Sequence, residues 1–204
     1  MNNAAENKIK IQVVLGSTRD GRFGDKPAQW VLDMAKKREG VEAELVDLRD
    51  YPLPYFNEPV SPAMSGGKYT NEIAAKLAKK IGEADAYIMM SPEYNHSFSA
   101  AIKNALDYVY GEWNRKPVAF VGWGGVGGAR AIEHLRQVVV ELQMAPMRNA
   151  VYIQWPAYLA IAGGGDAAKE AFASMESGAN NLLDQLVWWA KALKAARGAA
   201  AEIK

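Results

Sequence analysis

The sequence predicts an α/β protein built on a parallel sheet, and three observations lead there. Apolar runs of strand length alternate with segments of helical period along the whole chain. Five strands separated by five helices fit a doubly wound sheet of order 2-1-3-4-5. Two of the runs also end in short polar stretches whose chemistry suits a ligand. A sheet of this kind holds its ligand there, outside the carboxyl ends of its strands, where the strand order reverses.

The elements follow in order. A first strand is expected over 8–15, ending in Leu15, and a helix over 26–38. The second strand, 42–47, leads into a segment, 49–68, with four prolines, two glycines and the aromatics Tyr51, Tyr55 and Phe56. That composition predicts a loop, and its length exceeds an ordinary connection. A helix over 69–82 and a third strand over 86–90 come next. The helix expected over 98–110 aligns Phe98, Ala101, Ile102, Ala105, Leu106 and Val109 in one apolar stripe. Tyr108, Tyr110 and Trp113 fall outside that stripe, and such surplus apolar surface predicts a homo-oligomer. A fourth strand over 118–121, a helix over 129–144 and a fifth strand over 150–154 complete the sheet. Segment 155–166, with Trp155, Tyr158 and Gly163-Gly164-Gly165, reads as a loop before a long last helix over 168–196.

Composition narrows the function. The 204 residues suffice for one sizeable core and form a single expected domain, with loose ends over 1–7 and 197–204. A formal net charge of +1 gives neither a nucleic-acid field nor an acidic docking surface. The absence of cysteine removes disulfides, thiol nucleophiles, iron–sulfur clusters and cysteine-ligated zinc. The two histidines, His96 and His134, lack metal-ligand spacing, so no metal site is expected. No segment reaches the roughly 20 apolar residues of a membrane span. The start lacks the order of a signal peptide, so a cytoplasmic location is expected.

The first informative stretch is Gly16-Ser17-Thr18-Arg19-Asp20-Gly21-Arg22-Phe23-Gly24, between the first strand and a helix opening near Asp25. A helix amino terminus offers unpaired N–H groups and partial positive charge to a phosphate. Ser17 and Thr18 add hydroxyls, and Arg19 and Arg22 add charge. Gly16 and Gly21 have Walker A spacing, but Arg22-Phe23 stands where Lys-Ser/Thr belongs, so magnesium-dependent nucleotide hydrolysis is not expected. A capped turn with solvated arginines, Asp25 serving as N-cap, is the plainer alternative.

The second stretch, Ser91-Pro92-Glu93-Tyr94-Asn95-His96, suits the edge of a flat ring. Pro92 fixes the turn, Tyr94 offers a stacking face, and Asn95 both donates and accepts. The pyrimidine edge of an isoalloxazine has matching carbonyl and N–H groups, so the two stretches together point to FMN. A turn of ordinary turn-formers is the competing reading, and His96 reads as a surface residue. A third stretch, Gly122-Trp123-Gly124-Gly125-Val126-Gly127-Gly128, contains a literal G-x-G-x-x-G. It follows the fourth strand rather than the first, and the next strand ends in Tyr152-Ile153-Gln154 without the acidic residue a dinucleotide needs. It reads instead as a permissive loop that packs against a ring, with Trp123 nearby.

With these loops placed, the chain resembles the NADPH-dependent FMN reductase family of flavodoxin-like proteins. The likeness runs through Gly16–Arg19, through Ser91–Asn95 into Ala100-Ala101-Ile102-Lys103-Asn104-Ala105-Leu106-Asp107, then Lys116-Pro117 and Gly122–Gly128. It implies non-covalent FMN, with Ser17 and Arg19 at the phosphate and Pro92, Glu93, Tyr94 and Asn95 at the ring. By position, Thr18, Arg22, Phe23 and Gly24 join the phosphate group, and Gly122, Trp123, Gly124 and Gly125 flank the ring. Many relatives carry a second serine and an asparagine where this chain has Arg22-Phe23-Gly24.

The resemblance further implies a dimer or tetramer. It implies electron transfer from NADPH or NADH to a small acceptor: a flavin, a quinone, an azo compound or a metal oxyanion. The flavin carries that chemistry, so no side chain is required as acid or base. A flavodoxin-type electron carrier is the alternative; such carriers are strongly acidic, which this chain is not. A dinucleotide-binding dehydrogenase is a third, disfavoured by the missing acidic residue.

Overall fold

The computed structural model describes residues 8–202. Five strands form one sheet of order β2-β1-β3-β4-β5. They are β1 (Ile9–Leu15), β2 (Val41–Asp47), β3 (Ala86–Pro92), β4 (Pro117–Trp123) and β5 (Ala145–Ile153), and every neighbouring pair is parallel. The flavodoxin-like order is therefore as expected, with its switch point between β1 and β3. Every residue of β3 and β4 is buried, as befits central strands covered on both faces.

Six helices cover the sheet. On one face lie α1 (Asp25–Lys36) and the long last helix, α6 (Gly165–Glu202). On the other lie α2 (Glu72–Gly82), α3 (Ala100–Tyr108) and α4 (Ala129–Glu141). Local chemistry sets where helices begin. The Asn71 side chain accepts from the N–H groups of Ile73 and Ala74, and that of Ser99 from Ile102. These caps place the starts of α2 and α3 later than helical period alone suggests. Asp25 is the first residue of α1 rather than its N-cap; Gly24 holds that place, and the Asp25 carboxylate pairs with Arg22.

The remaining helix, α5 (Trp155–Gly163), corrects the sequence reading. Segment 155–166 is not a loop. Pro156 sits in the first turn, where its missing N–H does no harm. The glycines that suggested a loop instead end the helix: Gly164 has φ +79° and divides α5 from α6. Strand β5 also starts earlier than expected, because an edge strand tolerates Pro146 at a register irregularity against β4.

A second correction concerns the aromatics. Tyr108 and Trp113 are buried within their own subunit, Tyr108 edge-on to Phe56 at 5.1 Å and Trp113 edge-on to Tyr87 at 4.7 Å. They are core residues rather than surplus surface. Tyr55, by contrast, is 87% exposed.

The long helix is latched to the sheet at two places. Asp85 accepts from the backbone N–H of Lys10 and pairs with Lys194 and Arg197 near the end of α6. Segment 197–204 was expected to be loose; α6 is helical through Glu202, while residues 1–7 and 203–204 lie outside the described residues. Higher up, Gln185 Oε1 accepts from the backbone N–H of Asn149 on the outer edge of β5, and Asn149 Nδ2 donates to the Asn181 carbonyl.

Lys116, the residue before β4, is a buried cation. Its ammonium donates to the Tyr87 hydroxyl at 3.0 Å and to the carbonyls of Ile81 and Gly82 at the end of α2. Burial, with Arg197 acting in the same direction, pushes its pKa from 10.5 down to about 8, against the pull of Asp85 and Glu112. Between those values the unfolded chain binds more protons than the folded one, so stability rises with pH. Unfolding by denaturant should therefore show roughly 1–2 kcal/mol more stability at pH 9.5 than at pH 8 from this group alone. Lys116→Met should remove that increment, and an unchanged pH slope in the variant would contradict the account.

Candidate active site

Three loops meet at the carboxyl edge of the sheet. The loop after β1 starts at Gly16, whose N–H donates to the Met90 carbonyl at the end of β3. A Cβ on Gly16 would overlap the Ile102 side chain and come within 2.9 Å of that carbonyl oxygen, so only glycine fits. Ser99 Oγ donates to the Gly16 carbonyl at 2.5 Å and ties α3 to the same point.

The first loop is shaped from beneath by Arg22. Its guanidinium donates to the Ser17 carbonyl at 2.6 Å and to both oxygens of Asp47, and pairs with Asp25. Its side chain is 4% exposed. The bond to Asp47 comes first among the causes that raise its pKa, so it is a permanent cation. Burial works to raise the Asp47 carboxyl, but hydrogen bonds from Arg22 and from the Arg49 N–H outweigh it and hold the pKa below its ordinary value.

Arg22 was expected beside a phosphate; the structure turns it inward, as a clamp on the loop. Phe23 likewise faces the core side and stacks on Tyr158 of α5 at 4.1 Å. Lys26, in the first turn of α1, donates to the carbonyls of Ile161 and Ala162 at 2.9 Å each. Helix α5 thus braces the far end of the loop, a support that no sequence motif announced.

What remains directed to a ligand is coherent. Among the described residues, the backbone N–H groups of Ser17, Thr18 and Arg19 donate to no protein acceptor. Thr18 and Arg19 are exposed, and Ser17 is buried with its hydroxyl 3.5 Å from that of Tyr94. The Arg19 guanidinium lies over the Tyr94 ring, 5.9 Å from its centroid. Gly24 is buried where a Cβ would meet Leu15 and Trp123.

The second loop begins inside β3, since Ser91 and Pro92 are its last residues. Tyr94 and Ser97 exchange backbone hydrogen bonds at 2.8 and 3.0 Å across a two-residue turn. Asn95 and His96 occupy that turn with φ +49° and +69°, the pattern of a type I′ turn. The left-handed turn leaves the Asn95 side chain exposed and holds His96 at the surface. The Glu93 carboxylate is buried against Arg130 of α4, whose backbone N–H also donates to it at 3.1 Å. Glu93 therefore has neither its carboxylate nor its N–H available to a ligand, only its main-chain carbonyl.

The third loop is joined to the second by a bond from the Glu93 N–H to the Trp123 carbonyl, 2.9 Å. Gly122 and Trp123 belong to β4, and the Trp123 indole is buried in the layer of α1 and α6 rather than turned to the crevice. Its expected place beside a ring is taken by the backbone: the N–H groups of Gly124 and Gly125 have no protein acceptor among the described residues. Gly127, at φ +71°, could not carry a Cβ, which would lie 2.9 Å from Tyr152 Cβ, and one on Gly122 would lie 3.0 Å from the Gly127 carbonyl oxygen. The G-x-G-x-x-G pattern thus includes glycines required by close backbone packing.

This donor set fits FMN. A cradle of free N–H groups, hydroxyls and one exposed arginine stands at the opening of α1, as a phosphate requires. Free main-chain N–H groups and an exposed carboxamide stand at the ends of β3 and β4, as the edge of an isoalloxazine requires. Among the described residues no cluster of histidine, aspartate and glutamate could hold a metal, and no helix is long and apolar enough to cross a membrane.

Comparison with known proteins agrees with flavin chemistry on this fold. A family model described as NADPH-dependent FMN reductase matches residues 9–155. An NAD(P)H-dependent FMN reductase of Schizosaccharomyces pombe is 38% identical over 144 residues, covering 70% of this chain and 72% of that protein. An NAD(P)H:quinone oxidoreductase of Solanum tuberosum is 36% identical over 146 residues, covering 69% and 72%. Among solved structures, the flavoenzyme NAD(P)H:(acceptor) oxidoreductase FerB from Paracoccus denitrificans superposes with a TM-score of 0.63 at 26% identity. That match covers 87% of this chain and 98% of FerB. The loops that converge here are the ones the family model spans, and the chain belongs to the NADPH-dependent FMN reductase family.

Proposed function

We propose that this protein takes electrons from NADPH or NADH at FMN and passes them to a small acceptor of the quinone or flavin class. It does so in the cytoplasm, as a homo-oligomer. One observation carries the reading: the phosphate loop and the two ring loops are bonded to one another at a single crevice. Ser17 reaches Tyr94, and Glu93 reaches Trp123. When bound, FMN supplies the hydride acceptor and the two-electron donor. The protein's part is position. Arg19, the hydroxyls of Ser17 and Thr18 and the free N–H groups hold the phosphate. The Tyr94–Ser97 turn and the backbone of Gly124 and Gly125 border the ring. Arg22 keeps the loop in place from below. The names of the relatives in fungi and plants, FMN reductase and quinone oxidoreductase, support this acceptor class.

The phosphate assignment is tested by ligand contrast. A charge-assisted hydrogen bond contributes about 1.5–3 kcal/mol, roughly 10- to 150-fold in affinity. Arg19→Ala should weaken FMN by that factor and riboflavin, which has no phosphate, far less. Equal losses for the two ligands would take Arg19 out of the phosphate site.

With one crevice, the nicotinamide and the acceptor occupy the same space in turn, and NAD(P)+ leaves before the acceptor enters. Double-reciprocal plots with NADPH and a quinone should then be parallel. Intersecting lines would require a separate acceptor site. Steady NADPH oxidation without a partner protein also separates an enzyme from an electron carrier.

Exposed Val60 and Met64, at 50% and 81%, remain as apolar surface on the long loop after β2 and support self-association. Light scattering at micromolar concentration should report a multiple of the 22.3 kDa chain; a monomer would refute the interface.

A further inference from the structure

Beside the phosphate loop, on the side of α3, runs a groove of about 560 Å³. Its walls are the turn after β2 and the first half of α3. Small side chains keep it open: Ala100, Ala101 and Ala105 line it from α3, opposite Leu48 and Leu53. Tyr51 and Tyr55 add aromatic side chains to the lining. No carboxylate lines it, and Asn104 is already engaged, accepting from the Phe56 N–H and donating to the Pro54 carbonyl. Thr18 offers a hydroxyl and Arg49 the only formal charge in the lining. Such a surface matches an aromatic body carrying one anionic group.

Arg49 is placed for that anion. One of its nitrogens, Nη2, donates to the Arg19 carbonyl, which fixes the guanidinium against the phosphate loop. Among the described residues, Nε and Nη1 have no protein acceptor and the side chain forms no ion pair. The nearby Asp47 carboxylate is held by Arg22 instead. The groove also adjoins the phosphate loop at Thr18. Thr18 belongs to both, and its neighbour Ser17 reaches Tyr94 of the ring loop. A ligand with a nicotinamide at the ring loop would extend past Thr18 toward Arg49. NADPH has this form: a flat reacting ring at one end, a purine and a separate phosphate at the other.

We propose that this groove receives the adenosine end of NADPH and that Arg49 binds its 2′-phosphate, making Arg49 the residue that selects NADPH over NADH. The inference rests on the flavin reading of the adjacent crevice. The pyrophosphate is common to both nucleotides, so only a contact to the 2′-phosphate discriminates between them.

The test compares the two nucleotides on FMN-loaded protein. Arg49→Leu should lower kcat/KM for NADPH about 10- to 100-fold. NADH should change by no more than about threefold. The inhibitor 2′,5′-ADP should compete with NADPH and weaken in parallel in the variant. Equal losses for both nucleotides would overturn the proposal, because Arg49 would then serve the pyrophosphate or the loop itself.

Since Arg49 also touches the Arg19 carbonyl, Ala101→Phe provides a second variant that fills the groove without altering that bond. It should raise KM for both nucleotides; an unchanged KM would overturn the proposal. A change in mass by light scattering in either variant, without its predicted kinetic effect, would assign the groove to a second copy of the chain and likewise overturn it. Failure of the flavin reading is visible separately: wild-type protein would then show no flavin absorbance, and Arg19→Ala would not distinguish FMN from riboflavin.

Discussion

A buried guanidinium determines the form of this site. Arg22 lies beneath the phosphate loop and joins three parts of the chain that are distant in sequence or direction: the Ser17 carbonyl, the end of β2 at Asp47 and the first turn of α1 at Asp25. Removing one member of a buried pair leaves the other charge unpaired, at a cost of about 3–5 kcal/mol. The arrangement therefore has little tolerance for alternatives. Its value lies in specification more than in net stability, because desolvation of both ions offsets much of their attraction. With the Ser17 carbonyl held from below, the N–H groups of the loop are left free for a ligand, and the loop is fixed by the protein's own bonds. Preorganisation of this kind lowers the entropy lost on binding.

The same logic extends outward. Gly16 lets the loop leave β1 hard against β3, and Ser99 fastens α3 to it. The buried Glu93 carboxylate, paired with the exposed Arg130, anchors the ring loop to α4, and His134 Nδ1 meets Ser97 Oγ at 3.1 Å. Helix α5 supports the loop end through Tyr158 and the carbonyls that Lys26 holds. Each loop of the crevice is thus fixed to a rigid element, and a chemistry that depends on ring placement needs little else from its protein.

Much of this was legible in the sequence. The strand order followed from alternation and count, and the location of the site followed from which strands end in polar stretches. What could not be read was the direction of individual side chains. Arg22, Phe23, Glu93 and Trp123 sit in the right stretches, yet their side chains bond or pack within the protein. A sequence shows that an arginine stands near a phosphate site, not whether Asp47, 25 positions later, is closer to it. Helix α5 was missed because its glycine run and aromatic content carry loop signals, and its apolar residues show no single-faced pattern. Tyr108 and Trp113 escape for a related reason: a stripe drawn on one helix cannot show that the long loop folds over Tyr108 or that Tyr87 of β3 receives Trp113.

The position of α6 in the chain bears on how the protein is made. Synthesis runs from the amino end, and a domain's earlier elements emerge first. One face of the sheet, with Ile11, Val13, Val121 and Met147, receives much of its cover from Leu182, Leu183 and Leu186 of this last helix. The edge of β5 is capped by Gln185 of the same segment. Until those residues leave the ribosome, the nascent chain has a completed set of strands with an uncovered apolar face and an open edge. The strands are thus complete before their cover is, and part of an apolar face and an open edge wait for the seating of a single later helix.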